Sequence, residues 1–122
     1  MSMRQIARIE DAARVSVLRA LGFASLANAT AMIGVSFSPA TALNLGGVMT
    51  GMVGAVLAVK AWQAPTINYR RTETFLLLDR DTGLDECLSQ RVVGDVLARL
   101  YHRYALYHAY IAPTFLIVAY AA

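Results

Sequence analysis

Apolar and polar positions do not alternate along this chain; they are gathered into blocks. Residues 20–37, 40–59 and 105–122 contain no charged side chain, and the 11 basic and 8 acidic residues fall entirely within 4–19 and 60–103. Each uncharged run is about 18–20 residues long, near the length with which an α-helix crosses roughly 30 Å of hydrocarbon. A bilayer supplies no water to loose backbone groups, so runs of this kind must be helical or form a closed barrel. Strict apolar–polar alternation is missing, which argues against barrel strands. The pattern therefore predicts an all-α integral membrane protein with three transmembrane helices, at about 18–37, 41–62 and 103–122. An N-terminal amphipathic helix covers 1–19 and a polar segment covers 63–100, all within one membrane domain, 1–122. The competing reading is an unusually apolar soluble helical bundle.

Local signals set the boundaries. Ile6, Ile9, Ala13 and Val17 recur at helical spacing, with Arg4, Arg8 and Arg14 elsewhere on the turn. This first helix is expected to lie at the interface or to run straight into the first span. Ser38-Pro39 should end that span, because the residue before a proline is steered out of the helical region. Ala40-Thr41-Ala42 has the form of a signal-peptidase site, but Glu10 and Asp11 in a long leader argue for a retained span. Pro65 should stop the second span. Phe75 to Leu78 is too short to cross a bilayer and predicts a short helix on the membrane surface with Thr72 as its cap; a strand added to a partner is the alternative. Asp81-Thr82-Gly83 reads as a turn. From Leu84 a long helix is expected, unbroken to the C-terminus and kinked at Pro113. In it Val93, Val96, Leu97, Leu100, Tyr104, Tyr107, His108 and Ile111 share one arc. Arg91, Asp95, Arg99, His102 and Arg103 share the other.

Charge then orients the spans. Lys and Arg number four before the first span (Arg4, Arg8, Arg14, Arg19) and none between the first and second. They number seven between the second and third (Lys60, Arg70, Arg71, Arg80, Arg91, Arg99, Arg103) and none after it. The positive-inside rule predicts a cytoplasmic N-terminus, a tight outer hairpin, a cytoplasmic 63–100 segment and a periplasmic C-terminus in a bacterial inner membrane. Composition agrees: 57% of residues are hydrophobic, 16% are charged, and the mean hydropathy is +0.49. The net charge of +3 is too diffuse for a nucleic-acid stripe; the basic N-terminal helix can lean on anionic headgroups instead.

Four groups of residues are candidates for function. Gly47, Gly51, Gly54 and Ala58 form a small-residue face on the second span, suited to close helix packing against the first span or a partner subunit. Trp62, Tyr101, Tyr104 and Tyr107 have the amphipathic rings of a membrane-interface belt, and Lys60 can snorkel beside them. Tyr69, Arg70, Arg71 and Glu73 form the densest polar cluster and are expected to be an exposed cytoplasmic contact. His108 is the one candidate for binding a cofactor, as a single axial ligand to a tetrapyrrole. His102 cannot share a metal with it, being about 9 Å away along the axis and roughly 120° around it. Asp79, Asp81 and Asp85 loosely resemble a calcium loop, but its glycine and terminal glutamate are out of register. Cys87 is alone, which excludes an internal disulfide and a thiolate zinc site.

No G-x-S-x-G, P-loop, H-E-x-x-H or C-x-x-C occurs, and between the interfacial charges Arg19, Lys60 and Arg103 the spans hold no Asp, Glu, Lys or Arg such as a proton or ion path uses. Three functions follow as expectations. The first is a non-catalytic accessory subunit of a larger membrane assembly, such as a photosynthetic or respiratory electron-transport complex, with other integral subunits and lipids as partners. The second is a small homo-oligomeric transporter or channel. The third is a haem protein or membrane enzyme built on His108.

Overall fold

The computed structural model describes residues 3–78 and 80–121. Asp79 of the acidic spacing, Met1 and Ser2 of the N-terminal helix and Ala122 of the last span lie outside them. The described chain is helical, without a strand among those residues. It comprises α1 (Met3–Gly34), α2 (Pro39–Gln63), single 3₁₀ turns at Ala64–Thr66 and Tyr69–Arg71, α3 (Glu73–Leu77) and α4 (Glu86–Ala121). Three of these helices are long and apolar enough to cross a membrane: α1, α2 with its following turn, and α4.

The N-terminal amphipathic segment runs straight into the first span as one helix. Its stripe of Ile9, Ala13 and Val17 is buried against the protein's own core rather than turned to headgroups. The helix ends at Gly34, earlier than expected, because a turn through 35–38 must bring Ser38 into extended backbone. There the Ser38 hydroxyl caps α2 by accepting from the Thr41 N–H, and Pro39 takes the first helical position, where no N–H is needed. α2 thus starts two residues before the expected 41.

Two different kinds of packing hold the helices. At the charged end, Ile9, Ala13 and Val17 of α1 meet Val93, Val96 and Leu97 of α4, with Ala64, Tyr69 and Leu78 closing the core. Residues 64–78 and 80–85 form a lid across this end. Along the apolar halves the contact is a seam between α2 and α4, while α1 stands more openly. Phe23, Leu26, Ile33, Met52, Val56, Ile117 and many other large apolar side chains point outward.

The lid is fastened by polar groups. The Arg8 guanidinium donates to the carbonyls of Leu78 (3.0 Å) and Asp81, and the Gln5 amide donates to Gly83 (3.0 Å). Gln90 on α4 accepts from the Tyr69 N–H (3.0 Å) and donates to the carbonyls of Ile67 (2.7 Å) and Pro65 (3.2 Å). The turn at 81–83 forms as an Asx turn, with Asp81 Oδ1 accepting from the Gly83 N–H at 2.9 Å. Gly83 has φ +74°, in the left-handed region that favours glycine. Thr72 caps α3, accepting from the Phe75 N–H, and Asp85 accepts from the Leu88 N–H at the start of α4.

Candidate functional site

The glycine face turns partly inward: Gly47 is buried and Gly54 half-buried, while Gly51 is exposed at the edge. A Cβ on Gly47 would sit 2.8 Å from the Leu116 side chain and 3.2 Å from the Ala112 carbonyl. One on Gly54 would sit 2.9 Å from His108 Cβ, while one on Gly51 would meet Ala112 Cβ at an ordinary 3.8 Å. The face therefore packs on α4, not on the first span. Gly46, which sequence reasoning did not single out, is the glycine turned to α1, with Met32 against it. Ala58 is exposed and takes no part in the close seam.

Beside the seam, Asn28, Thr50 and His108 line a cavity of about 270 Å³ between α1, α2 and α4. Thr50 donates to the Gly46 carbonyl (2.7 Å) and accepts from Asn28 Nδ2 (3.1 Å). Asn28 Oδ1 is buried without a partner among the described residues. His108 Nδ1 lies 2.7 Å from the Tyr104 carbonyl. A carbonyl can only accept, so that nitrogen carries a proton, and in a neutral ring the lone pair is then on Nε2. This is the tautomer a metal-binding histidine needs, but His108 stands alone. No group of three or more His, Cys, Asp or Glu is placed to hold a metal among the described residues.

The aromatic residues separate by depth. Trp62 is 82% exposed at the foot of α2. Tyr101 and Tyr104 are half-buried against the core, and Tyr107 stacks edge-on to Tyr104 with ring centroids 5.8 Å apart.

The polar cluster differs from its expected exposure. Tyr69 is buried, packed edge-on against Phe75 at 5.2 Å, because the 3₁₀ turn that carries it folds inward over α4. Glu73 is half-buried and occupied: one oxygen accepts from Ser16 and the other from Arg19, each at 2.9 Å. Arg70 and Arg71 remain exposed. The hydrogen bond from Arg70 to the Tyr69 hydroxyl, then the charges of Tyr69 and Glu86, raise the Arg70 pKa above the ordinary arginine value.

Beneath the lid, α1, α2 and the foot of α4 enclose a cleft of about 610 Å³. Val53, Val56, Ala20 and Leu21 line its apolar part; Lys60, Arg71 and Glu73 line its polar end. Nothing in the spacing of the sequence pointed to it, since its walls run from Ser16 to Tyr101, 85 residues apart. Compared with known proteins, the chain matches no family model, no curated protein and no solved structure.

Proposed function

We propose that this protein is a non-catalytic accessory subunit of a larger membrane assembly, inserted with its N-terminus and lid in the cytoplasm and its C-terminus in the periplasm. The observation that carries this reading is where the polar groups at span depth are spent. Thr30 donates to the Leu26 carbonyl (2.8 Å), Thr50 to Gly46 (2.7 Å) and Thr114 to Tyr110 (2.9 Å), while Asn28 turns to Thr50. Each of these three hydroxyls is thus bonded back to its own helix, and the outward-facing positions are mostly large and apolar, with Ser25 and Asn44 as exposed polar exceptions. Such a bundle offers surfaces rather than a reaction path. At the lid, exposed Arg70 and Arg71 are the side chains of the sequence cluster that remain available to a cytoplasmic partner. An energy-transducing complex is the host type this reading expects.

The test is mild-detergent extraction from the native membrane, followed by a native gel, mass spectrometry and an absorbance spectrum of the band. Migration within a larger complex supports the reading and identifies the host. A haem or chlorin band lost in His108→Ala would place a tetrapyrrole on that residue. Migration as a colourless multiple of the 13.2 kDa chain contradicts the accessory reading and favours a self-assembling transporter.

A further inference from the structure

We propose that the cleft beneath the lid binds one anionic phospholipid, with the phosphate between Lys60 and Arg71 and an acyl chain along the wall formed by α1 and α2. The proposal rests on the membrane-spanning reading above, which sets the polar end of the cleft at the depth of the cytoplasmic headgroups. Trp62, exposed two residues beyond Lys60, marks the same level.

Charge and shape both point to this occupant. The cleft is polar at one end and apolar along its length, as a headgroup joined to a hydrocarbon chain requires. Three charged side chains line the polar end: Lys60, Arg71 and Glu73. Glu73 is already neutralised by Arg19 in an ion pair of 2.9 Å. Among the described residues neither Lys60 nor Arg71 has an ion-pair partner. The Lys60 ammonium lies over the ring of Tyr101, 5.9 Å from its centroid. Two cations therefore line one cleft whose carboxylate is already paired with Arg19. A phosphodiester accepts charge-assisted hydrogen bonds from both an ammonium and a guanidinium. Basic pockets between membrane helices on the cytoplasmic side suit anionic headgroups for this reason. A zwitterionic headgroup would add a third cation where the only carboxylate is taken. Free phosphate could use the same two cations but would leave the apolar walls of Val53, Val56 and Leu21 unfilled.

The experiment is native mass spectrometry of the full-length protein in nonionic detergent, offered phosphatidylglycerol, phosphatidylcholine or glycerol phosphate separately. One phosphatidylglycerol should be retained at least about tenfold better than phosphatidylcholine, the discrimination expected of a charge-assisted contact. Glycerol phosphate should not be retained. Lys60→Gln with Arg71→Gln should abolish the preference. Lys60→Arg with Arg71→Lys should keep it, which shows that the positions tolerate substitution. Val56→Trp should fill the apolar wall and reduce retention with both cations intact; Val56 is 54% exposed, so the fold can accept the larger ring. Equal retention of the two lipids, glycerol phosphate bound as well as the lipid, or a neutralised double variant that behaves like the parent would each overturn the proposal. Alkaline carbonate extraction of native membranes separates the two levels. Release of the protein contradicts the membrane reading itself, whereas protein that stays in the membrane without a lipid preference contradicts only the cleft.

Discussion

Gly54 fixes how closely α2 and α4 can approach, because a methyl group there would press on His108 Cβ, an atom held by the helix backbone. Gly54→Ala should therefore destabilise the protein by about 1–3 kcal/mol, the usual cost of overpacking. Gly51→Ala, three residues away on the same face, adds only an ordinary contact to Ala112. It should leave stability unchanged or raise it by up to about 1 kcal/mol through better helix propensity. Thermal unfolding in detergent, followed by circular dichroism, distinguishes the two. Equal losses would contradict the seam geometry. The pair also shows what a sequence motif omits. The spacing of small residues marks a face where backbones can approach, but whether a given glycine is filled by a neighbour's Cβ depends on the register of the partner helix.

At the scale of elements, much of the fold was legible. Helical spacing gave the buried stripe of α1, and the α4 arc holds for Val93, Val96 and Leu97, while the charged positions from Arg91 to Arg103 stand exposed. The capping signal at Thr72 gave the cap of α3 because it acts within three residues, whereas Ser38-Pro39, read as the end of the first span, in fact opens α2. What stayed hidden depends on long-range placement. Tyr69 looked exposed because its sequence neighbours are charged; it is buried because Gln90, 21 residues later, pulls the intervening turn onto α4. The cleft was invisible for the same reason. Gln90→Ala should cut three hydrogen bonds to 65–69 and free this part of the lid, costing about 1–3 kcal/mol through the unsatisfied backbone groups. Amide exchange should accelerate in residues 65–72 and stay slow in the α2–α4 seam. Unchanged exchange in 65–72 would show that Gln90 does not hold the lid.

The whole molecule is built in two halves. The charged end has a closed core with its polar groups cross-tied, much as in a small water-soluble domain. The apolar end has a tight seam between two helices and a third standing openly beside them, so much of its hydrocarbon surface is covered only if lipid or another membrane protein surrounds it. This division agrees with insertion that stops at the lid, and it makes the cytoplasmic placement of the lid the central claim. Cys87 is the sole cysteine and is exposed at the start of α4, on the lid side. Labelling with a membrane-impermeant maleimide in intact spheroplasts tests the claim directly. Cys87 should be protected until the membrane is permeabilised, and Thr41→Cys at the start of α2, in a Cys87→Ser background, should be labelled at once. Labelling of Cys87 in intact spheroplasts, with Thr41→Cys protected, would contradict the account.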